Sequence, residues 1–134
     1  VTLHYLDTSI AVHALRGTPE AEAWFDDVTA DPRQEIVSSR ILQTELTRVL
    51  RRDGNPVLDR EAILGHVGLV PLGEAILTTA ESIADHVKTL DAIHLATALA
   101  LGSGTVVVTH DENVKRVAAS LGLSSSDPIA SRPS

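Results

Sequence analysis

Thr105-Val106-Val107-Val108-Thr109-His110-Asp111-Glu112 is a short β-branched run, stopped by an acid and followed at once by a helical pattern. Apolar runs this short and uniform are typical of parallel strands buried on both faces. Residues 112–121 then read as a helix closed by Gly122. The N-terminus repeats the arrangement. Residues 1–6 read as a strand, with Leu3, Tyr5 and Leu6 apolar, and Asp7-Thr8-Ser9 leads into a helix over 10–16 that Gly17 ends. In a parallel sheet, Asp7 and Asp111 would therefore lie on the same edge.

The elements between these two units alternate in the same way. Thr18-Pro19-Glu20 signals a helix start, with threonine as cap, and that helix should run to about Thr29. Ile36-Val37-Ser38 is a short strand. Residues 40–52 form an amphipathic helix with Leu42, Leu46, Val49 and Leu50 on one face. After the breaker Asp53-Gly54-Asn55-Pro56 come a helix over 58–66, a strand at Leu69-Val70-Pro71-Leu72, a helix over 74–84 and another over 90–101. The Ser- and Pro-rich tail from Ser124 is expected to fray. Alternating strands and helices predict a three-layer α/β/α fold around a mostly parallel sheet, as one domain over 1–134. In such sheets ligands bind beyond the carboxyl ends of the strands.

Composition narrows the chemistry. The chain has 134 residues, 43% hydrophobic and 22% charged, which suits an ordinary folded domain. It has no cysteine, so disulfides, thiolate catalysis and Cys-based zinc sites are excluded. The apolar stretches are interrupted short of the roughly 20 residues that span a bilayer, so no membrane association and a cytoplasmic location are expected. The net charge of -7 and 2% aromatic content argue against an ordinary basic or base-stacking nucleic-acid surface. That objection reverses if clustered acids hold two divalent cations, because the site would then attract phosphate.

Four acids are candidates. Asp7 and Asp111 follow strands; each alone also reads as a helix cap favoured by the helix dipole. Asp91 stands in the first turn of a helix rich enough in Ala and Leu to be buried, where a carboxylate needs a partner. Glu45 lies beside the apolar stripe of its helix, and the plainer reading is a surface ion pair with Arg48 at i+3. Together the four are oxygen ligands suited to a hard cation. Two such ions about 4 Å apart can activate water and stabilise the leaving oxygen of an in-line displacement.

Leu6-Asp7-Thr8-Ser9, Thr44-Glu45-Leu46, Leu90-Asp91-Ala92-Ile93-His94-Leu95-Ala96-Thr97-Ala98 and Thr109-His110-Asp111 occur in the order of the motifs of the PIN-domain family. The sequence resembles that family, and within it the VapC-type ribonuclease toxins of toxin–antitoxin modules. The third motif is the most diagnostic. The resemblance implies that Asp7, Glu45, Asp91 and Asp111 hold Mg2+ or Mn2+, with Ser9 and Thr109 bonding the carboxylates or water on the metal. It also implies hydrolysis of RNA to a 5′-phosphate and a 3′-hydroxyl, a homodimer, and an antitoxin partner whose C-terminal segment covers the site.

Arg48 and Arg52 belong to a basic cluster with Arg40 and Arg51, read either as a solvated helix end or as RNA contacts. His94 shares a face with Asp91, either as a structural histidine or as an RNA contact. Trp24 and Phe25 read as core or groove residues. Glu112 is turned about 100° from Asp111 and is left out as a ligand. Two rival functions are weighed. A haloacid-dehalogenase-like phosphatase also places Asp after its first strand, but it needs a second aspartate where Ser9 stands. A catalytically silent interaction module of the same fold has no evident need for four mutually repelling acids.

Overall fold

β4 (Val106–Val108) pairs in parallel with β1 (Thr2–Leu6), in the register Leu6↔Val108. This pairing puts the residues that follow the two strands side by side. In the computed structural model, which describes residues 1–130, the remaining strands are β2 (Gln34–Ser39), β3 (Val67–Val70) and β5 (Ser124–Ser126). All pairings are parallel and the sheet order is β3-β2-β1-β4-β5. The chain winds outward from β1 to β3, then returns to the other side of β1 for β4 and β5. The crevice between β1 and β4 is thus a topological switch point, the usual place for a ligand site in an open α/β sheet.

The helices are α1 (Thr8–Leu15), α2 (Pro19–Ala30), α3 (Ile41–Arg52), α4 (Glu61–Leu64), α5 (Glu74–Ser82), α6 (Thr89–Leu101) and α7 (Glu112–Ser120). Successive strand side chains alternate between faces, and the core divides accordingly. Leu6, Ile36 and Val108 join Ile10, Phe25, Leu42 and Leu46 under α1 to α4. Tyr5 and Val107 join Leu95, Val114 and Val117 under α6 and α7. The result is the expected three-layer α/β/α architecture. Leu42, Leu46 and Leu50 are buried at four-residue spacing along α3, each contributing about 1.5–3 kcal/mol of burial. That inward row fixes which of the helix's other side chains face the site. Phe25 belongs to the core and Trp24 packs against it.

Several local expectations change. Thr18 makes no side-chain cap for α2; its hydroxyl lies 2.8 Å from His13 Nδ1. The helix expected over 58–66 is a 3-10 turn (Val57–Arg60) followed by the short α4. β3 begins at Val67, opposite Ile36, and stops before Pro71, which has no N–H for the ladder. The tail does not fray from Ser124: Ser124–Ser126 form the edge strand β5, and Thr109 N donates to Ser126 O. An edge strand held through its backbone needs no apolar side chains, so three exposed serines can form one. Asp127 then accepts from Lys115 Nζ at 2.6 Å and lies 2.9 Å from His110 Nδ1. Burial pushes its carboxyl up, but Lys115 and His110 more than offset this and hold it below its ordinary value. Residues 131–134 of the expected tail lie outside the described residues. Among the described residues no helix is long and apolar enough to cross a membrane.

Candidate active site

Asp7 is the residue at which β1 becomes α1, and its side chain is 3% exposed. It makes no cap hydrogen bond to α1, so the capping role open to it in sequence is not taken. Instead its Oδ2 accepts from Ser9 Oγ at 2.7 Å and from Thr109 Oγ1 at 2.7 Å. Thr109 Oγ1 also accepts from Asp111 N at 3.1 Å, and Ser9 Oγ from His110 N at 3.0 Å. Two hydroxyls thereby tie the ends of β1 and β4 together. Asp111 does cap its helix: Oδ1 accepts from Val114 N at 3.0 Å.

Glu45 and Asp91 are brought to the same edge by α3 and α6. Glu45 makes no ion pair with Arg48 among the described residues. Its Oε1 accepts from Thr8 Oγ1 at 2.8 Å and lies 2.6 Å from His94 Nε2. The opposite ring nitrogen, Nδ1, lies 2.6 Å from Tyr5 Oη. Burial pushes the Tyr5 phenol far above its ordinary value, so the hydroxyl beside Nδ1 keeps its proton. A carboxylate can only accept, so His94 Nε2 is the donor to Glu45. Tyr5, His94 and Thr8 thus hold Glu45 in one orientation. His94 is 2% exposed. It is a structural histidine, and its reading as an RNA contact is corrected.

Asp91, half-buried in the first turn of α6, has no hydrogen-bond partner among the described residues. Burial pushes its carboxyl up to about 6, reinforced by the negative charges of Asp7, Asp111 and Glu45 and opposed by His94. Asp7, Asp111 and Glu45 are therefore each close enough to Asp91 to act on it electrostatically. None is paired with a lysine or arginine among the described residues.

A common pattern connects the set. Among the described residues, Asp7, Glu45 and Asp111 each have one carboxylate oxygen fixed by the protein and one without a partner. Asp91 has two such oxygens. None of these free oxygens is sealed from solvent, since the buried unpartnered side-chain atoms among the described residues are His4 Nδ1 and Thr105 Oγ1. The donor set is all oxygen, as hard divalent cations require. Among the described residues, however, no three His, Asp or Glu side chains close around a point as ligands to one ion.

The sequence reading missed Tyr5 and Thr8, which reach Glu45 only through tertiary packing. Arg52 is paired with Asp53 at 3.3 Å, and neither Arg48 nor Arg52 bonds any of the four acids. The geometry of Thr109 gives a direct test. Thr109→Val removes a donor to Asp7 and an acceptor for Asp111 N in a fully buried position. It should lower stability by about 1–3 kcal/mol in urea denaturation. An unchanged midpoint would show that this hydroxyl does not clamp the two strand ends.

The same arrangement can be placed among known proteins. A family model described as PIN domain matches residues 4–120. Two curated relatives from Mycobacterium tuberculosis are similar over most of their length. Ribonuclease VapC35 is 33% identical over 129 residues, covering 89% of this chain and 92% of that protein. Ribonuclease VapC46 is 34% identical over 124 residues, with the same coverage. Among solved structures, VapBC2 from Rickettsia felis bound to a DNA fragment from its promoter matches with a TM-score of 0.75 and 15% identity, over 93% of this chain and 98% of that one. DNA-bound VapBC from Salmonella typhimurium matches with a TM-score of 0.72 and 17% identity, over 96% and 99%. The fold is shared with these structures, and the matched model and the curated relatives together establish that this chain belongs to the PIN-domain family.

Proposed function

We propose that the chain is a divalent-metal-dependent endoribonuclease and the toxin of a toxin–antitoxin pair. Asp7, Glu45, Asp91 and Asp111 would hold Mg2+ or Mn2+. The observation that carries the reading is the set of unpartnered, solvent-reachable carboxylate oxygens at the switch point, with Asp91 uncompensated among them. A site built for a protein-internal ion pair would have a lysine or arginine there, and the described residues supply none. The curated relatives are named ribonucleases, which favours RNA over DNA; the carboxylates themselves do not distinguish the two. A structural neighbour from Klebsiella pneumoniae is a toxin–antitoxin complex, which supports an antitoxin partner. A homodimer and a cytoplasmic location are parts of the same proposal.

When bound, the divalent ion would neutralise the carboxylates and act as a Lewis acid on the water and the leaving oxygen of an in-line phosphodiester hydrolysis. The chain's own contribution is preorganisation. Ser9 and Thr109 fix Asp7, the Tyr5–His94 pair and Thr8 fix Glu45, and Val114 N fixes Asp111. The free oxygens of these acids then need little further ordering. The aspartyl-phosphatase alternative loses ground here, because Ser9 binds Asp7 as a hydroxyl donor where that chemistry needs a second carboxyl.

The test is a digest of total RNA by the purified protein with Mg2+, Mn2+ or chelator, with the cleavage ends mapped. Metal-dependent cuts leaving a 5′-phosphate and a 3′-hydroxyl are expected. If the metal-loaded protein leaves RNA intact, the nuclease reading fails and a binding-only role replaces it.

A further inference from the structure

Beside the acids, α3 carries a second pattern of opposite sign. Arg40, Arg48 and Arg51 line a groove of about 320 Å3 together with Arg60, and Gln43, Thr44 and Thr47 complete its lining. Arg40, Thr44, Arg48 and Arg51 recur at intervals of four, four and three residues, which places them on one face of the helix. At 1.5 Å per residue the row extends for about 16 Å. In a chain of net charge -7 with 11 lysines and arginines, so many cations in one groove is a marked local reversal.

These arginines are also poorly compensated. Arg40, Arg48 and Arg51 form no salt bridge among the described residues, whereas Arg16, Arg33, Arg52 and Lys115 each meet a carboxylate. Arg60 approaches Glu61 at 3.3 Å, with its side chain 25% exposed, and donates from Nη1 to Thr47 Oγ1 at 2.6 Å. Arg40 Nη1 donates to Thr44 Oγ1 at 3.1 Å. Hydroxyls therefore hold two of the guanidinium groups in place, while their positive charge has little or no carboxylate to balance it.

A row of cations along one axis suits a polyanion of evenly spaced charge, and planar guanidinium groups match phosphate oxygens. Among the described residues the groove has no aromatic lining on which bases could stack, so it is suited to holding a backbone and not to reading sequence. Thr44, in its lining, immediately precedes Glu45, and Arg48 lies three residues beyond it. One helix thus carries both the groove and one of the four acids.

We propose that this groove binds phosphates of the single-stranded RNA flanking the scissile bond, so that substrate runs from the acids along α3. The inference rests on the ribonuclease reading and adds a path for the strand. It replaces Arg52 and His94 as RNA contacts with Arg40, Arg51 and Arg60.

The test is fluorescence anisotropy of a labelled single-stranded RNA, without divalent metal, across a range of salt. The double variant Arg48→Gln/Arg51→Gln alters exposed side chains, and its folding is checked by circular dichroism. It should bind at least about ten-fold more weakly at low salt. Its slope of log affinity against log salt should be shallower by roughly 0.7 for each phosphate that the variant no longer neutralises. Arg33→Gln, on an exposed loop pair with Asp31, should keep the parent slope. If the wild type cuts RNA while the folded double variant binds with the parent's affinity and slope, the groove assignment is overturned and the nuclease reading stands. Failure of the wild type either to bind or to cut RNA overturns both. If the double variant keeps RNA affinity but loses binding to a polyglutamate peptide, the groove serves an acidic protein partner and the RNA assignment is overturned.

Discussion

Asp91→Asn should reduce RNA cleavage by about a thousand-fold or more while making the metal-free protein more stable. The two effects have one cause. Asp91 is the acid left uncompensated: half-buried, without a hydrogen-bond partner among the described residues, and raised to about 6 by burial and three neighbouring negative charges. At neutral pH its ionised form is a cost to the fold. Replacing it with the neutral, nearly isosteric amide removes that repulsion. The gain is about 1 kcal/mol once solvent screening of a half-exposed group is allowed for. At this chain length that corresponds to a rise in melting temperature of roughly 4 °C. The same substitution removes a ligand oxygen from the proposed metal site, and a loss of about 4 kcal/mol of transition-state stabilisation corresponds to about a thousand-fold in rate. Purely structural residues behave otherwise, since removing one costs stability. Thermal unfolding in chelator and single-turnover cleavage of a defined RNA measure the two effects. A variant that is less stable than the parent, or that still cleaves at the parent's rate, sinks the assignment of Asp91.

The parts of this site legible in the sequence were those carried by local pattern. Strand, acid, helix is a contiguous signal at Asp7 and at Asp111, and the parallel register Leu6↔Val108 brings the two ends together as expected. Local pattern could not show that β1 and β4 flank the switch point, because strand order is decided by packing over a hundred residues of chain. β5 was hidden for a different reason. Ser124–Ser126 are exposed and are held through their backbone, so periodicity carries no trace of them. Glu45 shows the limit most clearly. Its sequence neighbour Arg48 offered a local ion pair, yet its partner is His94, 49 residues away. A buried imidazole oriented by Tyr5 has already lost its water and gains more from the carboxylate than an exposed arginine free to remain hydrated. Helical spacing did flag His94 as sharing the face of Asp91, and that was the usable clue.

Saturating Mn2+ or Mg2+ should raise the melting temperature, and the increase should itself depend on pH. At a metal concentration one hundred times the dissociation constant, binding to the folded state alone stabilises it by about 2.7 kcal/mol. For a chain of this size that is roughly 10 °C. The pH dependence comes from Asp91, whose folded-state value of about 6 lies above its ordinary value of 3.8. Between those two values the folded protein binds the extra proton. Metal-free stability from this group is therefore fully present below about pH 4, falls as pH rises through the window, and is lost above about 6. A cation must displace that proton to use Asp91, so the increase should be small at pH 5, grow towards pH 7 and then level off. Asp91→Asn should flatten this dependence, because no proton is left to displace there. Differential scanning fluorimetry at pH 5, 6 and 7, with and without metal, measures all of it. An increase of equal size at every pH would show that the ion binds without Asp91. No increase at millimolar metal would mean that the four acids do not hold an ion, and that their mutual repulsion is balanced in some other way.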